Sequence, residues 1–166
     1  MTIDVQEMVS KIDSKIPGSN TRKGWLYHDF NLPDHFAHVH RPNTKARLDH
    51  ISPHLDFTGK KVIDLGCSSG GITLGIAMMG ADHAYGADYD RNMIEIGKAM
   101  ASNHQIVNAS FHEMIIPDPE HLKKNTFPHA DVLVWLSQWM WCVKQDGLEE
   151  AKHLCMRYRS KRVWST

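Results

Sequence analysis

The run VIDLGCSSGGIT at residues 62–73 restricts the fold more than any other part of the chain. A β-branched stretch ends in the carboxylate of Asp64, a bend of small residues follows, and an apolar helical pattern takes over. Gly66 and Gly70 can adopt backbone angles closed to other residues, and their missing side chains let a ligand lie directly against the main chain at a helix N-terminus. A strand, a glycine bend and a helix in that order make one unit of a parallel sheet, so the remaining elements are expected to alternate.

The alternation starts at Gly59. Strands are predicted over Lys61–Leu65, Ala84–Asp88, Val107–Phe111 and Ala130–Leu136, the last read as buried from ADVLVWL. Helices are predicted over Gly71–Met79 and Asn92–Ala101, the second with Met93, Ile96 and Met100 on one face. The D-x-x-E pair Asp146 and Glu149 opens another, lined by Leu148, Ala151, Leu154 and Cys155. A fifth strand is predicted to begin at Arg162–Ser165 and to be cut short. The expected architecture is α/β: a Rossmann-like, mostly parallel sheet flanked by helices, incomplete in its C-terminal part. Residues 59–166 carry that sheet, and residues 1–58 are a helical and irregular preface packed with it into one compact domain. Within the preface, Val5, Met8, Val9, Ile12 and Ile16 follow helical spacing up to Pro17-Gly18. Residues 21–42 read as an ordered, lid-like loop, and Leu48, Ile51 and Leu55 as a short helix.

Bulk properties narrow the partners. Nineteen basic and nineteen acidic residues cancel, so no global field draws in nucleic acid or an anionic membrane. The basic end at Arg157, Arg159, Lys161 and Arg162 leaves room for a local RNA contact, though nucleic acid is not the expected partner. No stretch approaches the roughly 18 apolar residues of a membrane span, and the acidic N-terminus does not resemble a signal peptide. Cys67, Cys142 and Cys155 lack paired spacing, which fits a reducing cytoplasm. His28, His35, His38 and His40 crowd together, but no second ligand group stands at a metal-site spacing, and no metal is expected.

The chemistry follows from two carboxylates. A diphosphate at the glycine bend would meet Asp64 with repulsion, whereas the ammonium of a methionine moiety would be attracted, so Asp64 favours S-adenosylmethionine over a nicotinamide dinucleotide. Asp88 ends the second strand of the alternation in AYGADYD, about 20 residues beyond the bend, where a carboxylate can accept both hydroxyl protons of a ribose. Tyr89 is placed to cover an adenine face, and Asp90 is read as a helix N-cap.

On DLGCSSGG, Asp88 and ADVLVWLSQWMW, the chain over residues 59–145 resembles the class I S-adenosylmethionine-dependent methyltransferases. The resemblance implies that Asp64, Gly66, Cys67, Ser68 and Gly70 surround the methionine part of the cofactor. It further implies that Glu113 and Met114 lie near the adenine, and Leu136 and Ser137 beside the sulfonium. Two departures stand out: Ser68 occupies a place where glycine is common, and no N-P-P-Y-like motif follows the fourth strand, which disfavours methylation of a base amine by that route. The short C-terminal part is expected to leave a sheet edge open, covered by a protein partner or a homodimer. A cofactor-binding protein with weak catalysis that works with such a partner is the alternative.

The acceptor is expected to be a small molecule, sugar or nucleoside. Tyr27, Gln138, Trp139 and Trp141 are the candidates for lining its site, and His28 is the candidate base should the acceptor be a hydroxyl. A rival reading takes Gly66-Cys67-Ser68-Ser69-Gly70 as the G-x-S-x-G elbow of an α/β hydrolase, with Ser68 as nucleophile and His121, His129 or His153 as base. Such an elbow normally has several strands before it, and nothing before Gly59 reads as a strand.

Overall fold

The computed structural model describes residues 2–12, 24–34, 36, 38–114, 130–136, 140, 143–144, 147–149 and 151–153. Four parallel strands form the main sheet: β3 (Lys61–Leu65), β4 (His83–Asp88), β5 (Ala109–Glu113) and β6 (Val132–Val134), in the order β5-β4-β3-β6. Three of them run outward from β3 in sequence order, and β6 then returns to the other side of β3. The strand order thus reverses between β3 and β6, and in open α/β sheets ligands bind at the carboxyl ends beside such a reversal.

Period-2 alternation sorts each strand between two faces. Val62 and Ala84 join Leu48, Ile72, Ile76 and Val134 in one apolar cluster, while Ile63 and Leu65 pack with Ala87 and Met114 in another. Helix α3 (Gly71–Met78) and helix α4 (Arg91–Asn103) link the parallel strands, as a parallel crossover requires. Asp90 caps α4, accepting from Asn92 N–H at 2.9 Å.

Phe111 of β5 occupies space that three glycines leave open. A Cβ at Gly70, Gly86 or Gly97 would fall 2.2, 2.9 or 2.8 Å from a Phe111 ring carbon. The ring is therefore wedged under the glycine bend, between β4 and α4, and its position fixes theirs.

The preface differs from its expected form. Residues 21–42 contain two short strands, β1 (Leu26–His28) and β2 (Val39–Arg41), paired in parallel with Leu26 opposite Val39 and His28 opposite Arg41. The crowded aromatics and histidines are cross-strand partners: Trp25 stacks on His38 at 5.0 Å and Tyr27 on His40 at 5.7 Å. This corrects the expectation that no strand precedes Gly59, although the pair forms a separate sheet and β3 remains the first strand of the main one. Helix α1 (Val5–Ser10) stops before Ile12, whose N–H turns back to Val9 O while its carbonyl accepts from Gly24 N–H. Ile12 is thereby buried although it lies outside the helix.

The preface is bolted to the sheet domain. Val5, Val9, Ile12, Leu26 and Phe30 share one apolar cluster with Met93, Ile96 and Met100 of α4. Ile3 and Asn103 exchange two hydrogen bonds of 2.9 and 2.8 Å, and His104 pairs with Asp34. Helix α2 (Thr44–Ile51) drives Leu48 against Gly75 of α3, where a Cβ would lie 2.2 Å from the leucine Cδ1.

Three strands differ in extent from expectation, β4 only by beginning one residue earlier at His83. β5 starts at Ala109, not Val107, because Asn108 turns its side chain back to the carbonyls of Ala77 and Ala81 and leaves Val107 89% exposed. β6 is three residues long and only Val134 is buried in it. Asp146, Leu154, Cys155 and Arg162–Ser165 lie outside the described residues. Among the described residues no helix is long and apolar enough to cross a membrane.

Candidate functional site

The bend after β3 is held by main-chain bonds and by three residues with positive φ: Gly66 at 73°, Ser68 at 52° and Gly70 at 87°. Gly66 N–H and Cys67 N–H both donate to Ala87 O, at 2.8 and 3.0 Å, fastening the bend to β4. Ser68 adopts the left-handed conformation that glycine takes without strain, at a cost of roughly 1–2 kcal/mol.

Asp88, at the end of β4, accepts Ser68 N–H on Oδ2 at 2.8 Å and Asp90 N–H on Oδ1 at 3.0 Å. It is 6% exposed, and burial pushes its carboxyl up against the opposing pull of these amides. The carboxylate that the sequence assigns to a ribose therefore also splices the glycine bend to the β4 turn. Each oxygen retains acceptor capacity, since a carboxylate has about four lone-pair positions. Tyr89 beside it is 44% exposed.

Asp64 is buried at the end of β3, where the Thr73 hydroxyl of α3 donates to Oδ2 at 2.7 Å. Burial raises its carboxyl to about 6, with Thr73 and the Arg47 guanidinium pulling the other way. A carboxyl at about 6 is mostly ionised at neutral pH. Cys67 lies between these acids; burial and the two carboxylates push its thiol well up, which keeps the sulfur protonated and unreactive.

A cleft opens at this end of the sheet, lined by Asp64, Gly66, Cys67 and Leu136 together with His28 and Arg47 from the preface. Arg47 Nη1 donates to His28 Nε2 at 2.8 Å. A guanidinium has only donors, so that ring nitrogen must be the acceptor and His28 the neutral, Nδ1-protonated tautomer. Burial, then the Arg47 charge, lowers His28 to about 4. Its Nδ1 makes no well-formed hydrogen bond, although the Arg41 main chain lies close enough to favour the charged ring slightly. The ring's one lone pair is directed at Arg47, so a proton could be taken from an acceptor only after that bond breaks.

The other expected residues fall in several places. Gly70 sits over Phe111, and Leu136, 40% exposed, is on the cleft wall. Glu113 is exposed at the end of β5, whereas Met114 is buried beside Ile63, Leu65 and Ala87. Tyr27 lies in β1 with the Arg41 guanidinium 5.6 Å above its ring. Ser137, Gln138, Trp139 and Trp141 lie outside the described residues. Arg47 and Thr73 escaped sequence reading. Gly71 and Gly75, one turn apart on α3, were the available signal: a Cβ on Gly71 would meet Asp29 O at 2.3 Å, so these glycines mark where the preface lies against the helix.

The model of a family described as "Methyltransferase domain" matches residues 56–146. The ubiquinone biosynthesis O-methyltransferase of Neisseria meningitidis is 27% identical over 81 residues, covering 49% of this chain and 34% of that one. Among solved structures, WbdD bound to a kinase inhibitor superposes with a TM-score of 0.73 at 24% identity, covering 93% of this chain and 34% of that one. Magnesium protoporphyrin IX methyltransferase from Synechocystis, with bound S-adenosylmethionine, gives a TM-score of 0.52 at 18% identity, covering 71% of this chain and 52% of that one.

The chain belongs to this methyltransferase-domain family, in the class I S-adenosylmethionine-dependent fold. It spans about a third of the length of the curated relatives it matches. The cofactor is S-adenosylmethionine. The residues present suit it: a buried carboxylate at the strand end attracts a cationic amino group and repels a diphosphate, and the bare backbone of Gly66 admits a ligand against the chain. Ser68 then has a structural task, its amide anchoring Asp88, which the nucleophile reading left out.

Proposed function

We propose that the chain transfers the methyl group of S-adenosylmethionine to a small-molecule acceptor, with a sugar or nucleoside hydroxyl as the first class to test. The observation that carries this is the convergence of Asp64, Asp88 and the glycine bend at the carboxyl end of β3 and β4, beside the β3/β6 reversal. In this reading Asp64 holds the amino end of the cofactor, Asp88 takes the ribose hydroxyls, and Tyr89 and Glu113 flank the adenine. Leu136, on the cleft wall, lies beside the sulfonium in this reading.

When bound, S-adenosylmethionine supplies an electrophilic methyl group on a sulfonium sulfur. The chain's share is to align the acceptor on the line of the departing sulfur and to exclude water, so positioning carries most of the rate. The balanced charge of the chain supports a small acceptor over a polyanion.

The test is methyl transfer from labelled S-adenosylmethionine to a panel of hydroxylated small molecules, nucleosides and RNA. Label in the small-molecule or nucleoside fraction, lost in Asp88→Ala, supports the proposal. Label only in RNA or protein overturns the acceptor class. Tight cofactor binding with no transfer to any acceptor in an extract overturns the enzymatic reading in favour of a binding protein.

A further inference from the structure

The buried run of α3, from Gly71 to Ala77, is built of glycine and aliphatic residues with one exception, Thr73. A threonine inside a helix commonly returns its hydroxyl to a main-chain carbonyl one turn back. Thr73 donates its single hydroxyl proton to Asp64 Oδ2 at 2.7 Å, and both side chains are buried. The room for that bond comes from a third element. A Cβ on Gly86 of β4 would lie 2.9 Å from Thr73 Oγ1 and 2.9 Å from Cys67 Sγ. Gly86 does not have positive φ, so its backbone does not require glycine, and a glycine inside a strand weakens the sheet. What the missing side chain provides is space for the hydroxyl and the thiol beside Phe111.

The bond acts on both the direction and the charge of the carboxylate. With Oδ2 taken by Thr73, Oδ1 is the oxygen left for a ligand in the cleft that Asp64 lines. A hydroxyl that donates to a carboxylate stabilises its charged form. Burial raises the Asp64 carboxyl to about 6; the Thr73 hydroxyl opposes that rise most, the Arg47 guanidinium opposes it next, and the Asp88 carboxylate adds to it. The other titratable groups beside it are uncharged, His28 as the neutral ring and Cys67 as the thiol. Thr73 itself is enclosed behind Asp64 and does not line the cleft, so it can reach a ligand only through that carboxylate.

We propose that Thr73 is a positioning residue for cofactor binding: its hydroxyl holds one oxygen of Asp64 so that the charged carboxylate presents the other to the ammonium. Gly86 is the residue that makes room for this arrangement, although it touches neither Asp64 nor the cleft. The proposal rests on the assignment of Asp64 to the cofactor's ammonium.

The test is calorimetric titration of the full chain with S-adenosylmethionine between roughly pH 5 and pH 7.5, where an α-amino group keeps its proton. The control ligand is 5′-methylthioadenosine, which lacks the amino-acid end. Wild-type affinity for S-adenosylmethionine is expected to fall on the acid side with a midpoint near 6. Thr73→Val keeps the branched shape and removes a bond to the charged form, so the midpoint should rise, by about half a pH unit or more. At pH 6 that variant should bind S-adenosylmethionine about threefold more weakly or worse, with 5′-methylthioadenosine unchanged within about twofold. Thr73→Ser, which retains the hydroxyl, should restore the wild-type midpoint. Adding Thr73→Val to Asp64→Asn should change affinity by less than about twofold, since the two residues act as one unit. An unmoved midpoint in Thr73→Val, a loss shared equally by 5′-methylthioadenosine, or no rescue by Thr73→Ser overturns the proposal. Should Thr73→Val fail to fold, Thr73→Ala is expected to raise the midpoint in the same direction, and an unmoved midpoint there overturns the proposal. Flat wild-type affinity across the range refutes Asp64 as the ammonium's partner, and wild type that binds neither ligand refutes the cofactor assignment; both are distinct from a variant whose midpoint does not move.

Discussion

The Ser68 amide reaches Asp88 Oδ2 across 2.8 Å, joining the glycine bend after β3 to the end of β4. One buried carboxylate thereby helps set the shape of the bend and is, in the proposed function, the group that takes the ribose hydroxyls. Removing it should damage both. Asp88→Ala is expected to destabilise the fold by about 1–3 kcal/mol through unsatisfied amides and to weaken S-adenosylmethionine binding at least tenfold. Urea unfolding and calorimetry measure the two effects separately. Asp88→Asn keeps an acceptor oxygen and should retain more stability than affinity.

Asp64 gives a pH signature. Its carboxyl is raised to about 6 from an ordinary value near 3.8, so the folded chain holds a proton that the unfolded chain has lost. Stability from this group is present below about pH 4 and is lost as pH rises through 6, a difference of about 3 kcal/mol. Asp64→Asn should therefore be more stable than wild type at pH 7, and the gap should close towards pH 4. Cofactor affinity should move the opposite way in the wild type, falling as pH drops from 7 to 5 and the carboxylate is neutralised. In Asp64→Asn the affinity should be low and flat across that range.

Phe111 is wedged against three glycines, and the packing cannot be improved by adding atoms. Gly97→Ala places a methyl within 2.8 Å of the ring and should destabilise by about 1–3 kcal/mol. Phe111→Ala should cost about 3–5 kcal/mol and loosen the bend above it. Hydrogen exchange at Gly70 and Gly71 would report that loosening directly.

Ser68 carries positive φ at 52° with no side-chain bond needed to hold it there. Ser68→Gly is expected to raise stability by up to about 1 kcal/mol and to leave cofactor affinity unchanged, because the contact with Asp88 is made by the amide. A thermal melt and a binding isotherm check it. A tenfold loss of affinity would assign the hydroxyl a role of its own.

What the sequence made legible follows from how local each signal is. β3, the glycine bend and α3 lie within one continuous stretch, where a change of hydrophobic period and two glycines mark every boundary. Asp64 and Asp88 were readable because strand ends are readable. The β1–β2 pairing was not, since parallel strands joined across ten residues leave only a short alternation, and Trp25, Tyr27, His38 and His40 looked like a loop until they stacked on one another. Arg47 was invisible for a similar reason. A single arginine on a short helix has no pattern, and only the packing of Leu48 on Gly75 and Asp29 on Gly71 brings it to Asp64. His28 was read from its position in a lid-like loop; the structure places it in β1 with Nε2 bonded to Arg47, a contact no sequence pattern announces.

The central claim is that this cleft binds S-adenosylmethionine by two carboxylates and a bare bend. Calorimetric titration of the wild-type chain with S-adenosylmethionine and, separately, with NAD tests it most directly. The account expects saturable one-to-one binding of S-adenosylmethionine, lost in Asp88→Ala, and no heat with NAD. Binding of NAD in preference, or no binding of S-adenosylmethionine to the folded chain, would contradict it.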